Sequence, residues 1–177
     1  MSRSPPPVAG QRSDDLAIWS DRLRMLFDYW VSKRGTAEAP GRRDLDPLDI
    51  PPLLPIVVLV DVEHDPLRFS YRLAGTELIQ KAGTEITGKT FDEIHRGPQR
   101  DAVFADYQAA AVTCEPVVAL HEYVNEFGSY WRYERLLLPL VNSSGVVNML
   151  FGGIDTQLPT TNPWKTRMFS HPIKAKR

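Results

Sequence analysis

The chain has 177 residues, a formal net charge of −1 and 42% hydrophobic residues. That length suits one domain with extensions and a real core, and the near-neutral charge leaves no electrostatic footprint for nucleic acid or an acidic substrate. The single cysteine, Cys114, excludes an internal disulfide and a cysteine-based zinc site. No run approaches the roughly 20 apolar residues that span a bilayer, and Met1 to Gln11 lacks the apolar core of a secretory signal. A cytoplasmic protein is expected.

Residues 1–12 are rich in proline and serine and read as a disordered tail. Residues 13–35 are predicted as an amphipathic helix, capped by Ser13, with Asp14 and Asp15 in its first turn and Lys33, Arg34 and Gly35 at its end. Leu16, Trp19, Leu23, Leu26, Phe27 and Trp30 fall on one face at helical spacing. A stripe this apolar must be covered, either by the domain's own sheet or by a second copy of the chain. The expectation is a homodimer with Trp19, Leu23, Leu26, Phe27 and Trp30 at its contact, because the proline-rich linker over 36–55 lets the helix leave its sheet. The linker's segment from Gly41 to Pro55 carries too much proline for regular structure and is expected to run extended.

The core is placed at 56–155. Ile56 to Val62 reads as a buried strand, and Glu63-His64-Asp65-Pro66 turns the chain into a second strand, Leu67 to Ala74. Gly75 breaks that strand, Thr76 is the expected cap of a short helix, and Gly83 ends it. The device repeats: Gly88 breaks, Thr90 caps, and Glu93 completes a capping box. Neither short helix is stable alone, so the sheet must hold both, and the gap beneath them can admit a small molecule. Pro98 then precedes a longer helix from Arg100 to Thr113. Three strands follow, Pro116 to Val124, Tyr130 to Val141 and Val146 to Ile154, joined by turns at 125–129 and at Asn142-Ser143-Ser144-Gly145. Strands and helices do not alternate, which predicts an antiparallel sheet of the α+β class. Residues 156–177 form an irregular tail with Lys165, Arg167, Lys174, Lys176 and Arg177.

The order of elements and the paired Gly-Thr corners resemble a PAS domain, in particular the bacterial branch where that domain forms nearly the whole protein. The matching residues are the tryptophan-bearing helix, Asp44-Leu45-Asp46-Pro47, Val60-Asp61-Val62, Tyr71-Arg72-Leu73-Ala74-Gly75-Thr76, Thr87-Gly88-Lys89-Thr90 and Glu134 to Leu140. The resemblance implies a five-stranded antiparallel sheet with short helices on one face, in a sensory and regulatory module with no catalytic turnover. It also implies a small-molecule ligand or protein partner, and dimerisation through the N-terminal helix. With about two dozen residues after Ile154, output is expected through a separate signalling protein or through assembly itself.

Alternation nominates large side chains with polar tips as pocket lining: Tyr71, Tyr107, His121, Tyr123, Trp131 and Tyr133. Arg72 and Glu134 stand mid-strand and are expected either to pair on the sheet or to leave Arg72 free to bind an anionic ligand. The long helix holds no histidine, which argues against haem, although Tyr107, Cys114 and His95 lie near enough to be considered as axial ligands. Cys114 stands outside the early helices where a photoactive flavin site would need it. His64, His95, His121 and His171 have no metal-ligand spacing. Two rival readings remain. One is a cone-shaped enzyme of the ketosteroid-isomerase type, using His121 and Glu134 as acid and base. The other is a pure assembly module with a filled core.

Overall fold

The computed structural model describes residues 17–124 and 130–157. The expected cap at Ser13, the N-terminal tail and the C-terminal tail beyond Gln157 lie outside them. Helix α1 (Asp21–Arg34) starts later than its sequence pattern suggested, because Ser20 is the cap and its Oγ accepts from the Leu23 amide at 3.1 Å. Trp19 therefore precedes the helix.

The segment expected to run extended instead winds into three short 3-10 turns, Arg42–Asp44, Pro47–Asp49 and Pro51–Ile56. Proline is compatible with a first helical turn, where its missing N–H is not needed and its φ is already suitable. Asp46 caps the second of these turns through a 2.9 Å bond from the Leu48 amide.

Strands β1 (Val57–His64) and β2 (Leu67–Ala74) lead to helices α2 (Thr76–Ala82), α3 (Phe91–Ile94) and α4 (Arg100–Thr113). Strands β3 (Val117–Val124), β4 (Tyr130–Val141) and β5 (Val147–Asp155) complete an antiparallel sheet in the order β2-β1-β5-β4-β3. The cap of α2 is Gly75, and Thr76 is its first helical residue. The Thr90–Glu93 capping box forms as expected. The Gly88 corner returns along β2, where Gly88 N donates to Tyr71 O at 2.7 Å and Tyr71 N to Lys89 O at 2.8 Å. Those bonds pair the outward backbone groups of Tyr71 on the edge strand.

The sheet buries both faces. On one, Val58, Val60, Phe69, Tyr71, Leu137 and Leu150 pack under α2, α3 and α4. On the other, Leu59, Leu136, Leu138, Leu140, Met149 and Phe151 pack under α1 and the 3-10 segment. Leu23, Leu26, Phe27 and Trp30 are buried within this second layer, and Trp30 Nε1 donates to Pro139 O at 2.9 Å. The helix seats closely because β5 offers Gly153, where a Cβ would stand 2.7 Å from Leu26 Cδ1 and 2.8 Å from Leu23 Cδ2. Of the expected dimer stripe, Leu23, Leu26, Phe27 and Trp30 are covered by the chain's own sheet, whereas Trp19, ahead of the helix, is only half-buried. Leu26→Ala should lower unfolding free energy by about 2–5 kcal/mol, as measured in urea. It should leave the mass found by light scattering unchanged.

Candidate functional site

Strand alternation puts Tyr133, Arg135 and Leu137 of β4 on the α4 side and Glu134, Leu136 and Leu138 on the α1 side. On the α4 side this collects a polar cluster in an aromatic setting. Tyr71 Oη lies 2.8 Å from Tyr107 Oη and 2.7 Å from His95 Nε2. His121 stacks on Tyr133, with ring centroids 5.1 Å apart, and its Nε2 meets Asp106 Oδ2 at 2.8 Å. Arg135 lies between the two groups, its guanidinium 5.3 Å from the ring centroids of both Tyr107 and Tyr133. Nη2 donates to Tyr133 Oη at 3.1 Å and Nη1 to Asp106 Oδ2 at 3.4 Å, while Nε is buried with no partner.

Burial alone would lower the Arg135 pKa. The surrounding tyrosine oxygens of Tyr107, Tyr133 and Tyr71, together with Asp106, outweigh it and keep the group raised, so Arg135 is a cation. A cation 1% exposed with an orphaned N–H is costly to hold. The neighbouring space toward α3 is filled by the chain's own rings. Phe69 and Phe91 each stand near Phe104 and Tyr107, with centroids 5.2–5.4 Å apart. The cluster reaches solvent at Asp106 and His121, whose side chains are 20% and 11% exposed.

Of the residues nominated from sequence, Tyr71, Tyr107, His121 and Tyr133 come together here. Tyr123 and Trp131 face each other in the β3–β4 ladder, but their side chains lie outside the described residues. Arg72 and Glu134 do not pair. Arg72 Nε bonds Asp61 Oδ1 at 2.9 Å across the β1–β2 hairpin, on an exposed surface. Glu134 faces α1, accepting from the amides of Trp19 and Ser20, each at 2.8 Å. The enzyme pair fails for the same reason. His121 registers with Tyr133 and Leu120 with Glu134, so His121 and Glu134 point to opposite faces of the sheet. Among the described residues no group of three His, Cys, Asp or Glu side chains is placed to hold a metal ion.

Sequence reasoning missed Arg135 and Asp106. The signal for Arg135 was present: it alternates with Tyr133 on a strand that continues into the apolar run Leu136-Leu137-Leu138. A charge on a buried face is the informative exception. Also unforeseen is a second charged centre at the start of α1. There Ser20 Oγ donates to Asp155 Oδ2 at 2.6 Å, and Arg22 grips Asp155 through Nε at 3.1 Å and Nη2 at 2.6 Å. Arg22 Nη1 also reaches Glu77 Oε1 on α2 at 2.8 Å. Burial would raise the Asp155 pKa, but the bonds from Arg22 and Ser20 prevail and hold it below the usual carboxylate value.

Burial, reinforced by the charge of Arg135 and by His121 and Arg100, pushes His95 down to about 3. The native state therefore holds His95 neutral, whereas the unfolded chain binds a proton from about pH 6.5 downward. The unfolded state binds more protons between those limits, so stability rises with pH and is lost as pH falls from about 6.5 toward 3. Replacing His95 by Gln should flatten the slope of unfolding free energy against pH over that window. The reduction is at most about 1.4 kcal/mol per pH unit, read by urea titration at several pH values.

A family model described as a PAS domain matches residues 19–155. The comparison with curated proteins gave no match. Among solved structures, the chain is similar to a light-oxygen-voltage domain studied with a flavin analogue, at 12% identity over 70% of this chain and 90% of that one, with a TM-score of 0.49. It is similar to the LOV protein of Rhodobacter sphaeroides at 15% identity, over 63% of this chain and 64% of that one, with a TM-score of 0.47. It is also similar to the N-terminal domain of a diguanylate cyclase with PAS/PAC sensor from Marinobacter aquaeolei, at 12% identity over 56% and 94%, with a TM-score of 0.44. The family model takes in α1, the 3-10 segment and every strand of the sheet, and the chain belongs to the PAS domain family.

Proposed function

We propose that this PAS domain is a non-catalytic sensory module that binds a small anionic molecule at the Arg135 cluster and passes its state to a separate protein. One observation carries the reading: Arg135 is a fully buried cation whose Nε has no partner, with the Tyr133 hydroxyl on its Nη2 and the rings of Tyr107 and Tyr133 beside it. A carboxylate or phosphate oxygen would satisfy that donor and offset the cost of burying the charge. Asp106 meets Arg135 only at Nη1, at 3.4 Å, and lies closer to His121, at 2.8 Å, so it leaves the Nε donor of Arg135 unserved.

The route outward is short. Glu134, next in the chain to Arg135, faces the other way and holds the first amides of α1. A ligand that moves β4 at Arg135 therefore bears on the clamp at Trp19 and Ser20 through a single peptide unit. The ring-filled space beside the cluster favours the second reading, an assembly module with a filled core.

The two readings separate in one experiment. Native and denaturing mass spectrometry of the purified protein are run beside thermal shifts with phosphate, benzoate and a panel of small carboxylates. For the sensory reading, the wild type retains a small molecule or is stabilised by one of these anions, and Arg135→Met abolishes the effect. Arg135→Met itself should hold or raise stability, by up to about 1–4 kcal/mol, because an apolar side chain of similar length removes the desolvation cost. If no anion shifts the wild type and Arg135→Met loses several kcal/mol, Arg135 is a structural element of a filled core and the sensory reading falls.

A further inference from the structure

On the opposite face of the sheet, the 3-10 segment does not close fully on β1 and β2. It leaves a cavity of about 390 Å³ with Leu45, Ile50, Leu54, Leu59, Leu73 and Phe151 in its lining. The cavity's wall is built deliberately close. Gly75 N donates to Val57 O at 2.8 Å, and a Cβ at Gly75 would collide with the carbonyl oxygens of Leu54 and Pro55. A side chain there would push the α2 corner off the 3-10 segment and open the wall.

Arg42 and Asp46 also line the cavity, and they differ in the hydrogen-bonding capacity left to a ligand. Asp46 Oδ1 accepts from Leu48 N at 2.9 Å, and the Asp46 backbone is held by Tyr29 Oη at 2.7 Å. Arg42 is exposed and donates through Nη1 to Leu45 O at 3.0 Å, and among the described residues no carboxylate is paired with it. The donors left open to a ligand at the cavity therefore belong to Arg42, whereas Asp46 keeps its charge but is committed through Oδ1 to the Leu48 amide, and the rest of the lining is mostly apolar.

We propose that this cavity binds a monocarboxylate with a compact apolar body, its carboxylate on Arg42 and its body against Leu54, Leu59 and Phe151. At roughly 30 Å³ per water-sized group, the space holds on the order of 13 non-hydrogen atoms, the size of a ten-carbon acid. The site is separate from the Arg135 cluster, since Leu59 and Phe151 belong to the α1-side layer and Tyr71 to the other.

The test titrates the full chain with decanoate and with decanol, both below their aggregation limits, by calorimetry. Decanoate should bind saturably at one site and more tightly than decanol. Arg42→Ala should weaken decanoate by about 5-fold or more and leave decanol unchanged, as expected for loss of one charge-assisted contact at an exposed position. Leu73→Trp fills the cavity from its rim, where Leu73 is 44% exposed, and should remove binding of both. Arg42 is exposed, so its variant decides the question even if Leu73→Trp lowers stability. Arg135→Met should leave both affinities intact, which keeps this site's outcome distinct from that of the buried cluster. The proposal is overturned if decanoate does not saturate, if Leu73→Trp leaves binding unchanged, or if decanoate and decanol bind alike and Arg42→Ala is silent.

Discussion

The carboxylates of Glu134 and Asp155 leave water only because the beginning of α1 replaces their hydration. Both are 2% exposed, and an ionised carboxylate without partners at that depth would be prohibitive. Glu134 takes the amides of Trp19 and Ser20, which a helix start leaves without intrahelical acceptors. Asp155 takes the Ser20 hydroxyl and two arms of Arg22. The need is mutual: the helix start lacks acceptors, and β4 and the end of β5 carry buried acids. Once that clamp is set, Leu23, Leu26, Phe27 and Trp30 are aimed at the sheet, and the α1-side layer follows.

The clamp also connects the layers. Arg22 reaches past Asp155 to Glu77 on α2, so one guanidinium ties the helix on one face to β5 and to the helix at the sheet's other side. Its pKa is raised chiefly by the hydrogen bond to Asp155, as expected of a well-matched fork and carboxylate. The sheet between is thin and alternates by single residues. Glu134 belongs to the clamp and Arg135 to the polar cluster, and a peptide bond separates them. In a fold whose two faces are each packed against helix, this is the shortest path by which events at one face can be felt at the other.

The two candidate sites differ in physical kind. Beneath α4 the interior is full but charged, with an unpaired donor on Arg135 and a neutral His95 held against Tyr71. Beneath the 3-10 segment the interior is apolar but incompletely filled, with charge only at its exposed side. The first is short of a partner and the second is short of volume. Each deficiency is expensive in a native protein, through desolvation in one case and lost dispersion contacts in the other.

Much of the fold was legible in the residues. Alternation in Phe69 to Leu73, the Gly83 and Gly88 punctuation and the Thr90–Glu93 box are local signals, and local chemistry settles them. The period-2 pattern also picked out Tyr71, His121 and Tyr133, which converge with Tyr107 of α4. What the residues could not decide was partnership across the chain. An apolar helical stripe shows that something covers it, not whether the cover is its own sheet, and the answer rested on Gly153 leaving room for Leu23 and Leu26. Nor could two mid-strand residues show which face they share, because one residue of register moves a side chain through the sheet. That register separated His121 from Glu134 and brought Arg135 to the tyrosines. The strands, the α-helices and their order could be read from the residues, though not the 3-10 turns over 42–56, because helix caps, turns and alternation act over a few residues. The faces, the partners of the buried charges and the space left unfilled were settled by packing, because they depend on contacts between different elements, 29 positions apart for Arg135 and Asp106 and 115 for Trp19 and Glu134.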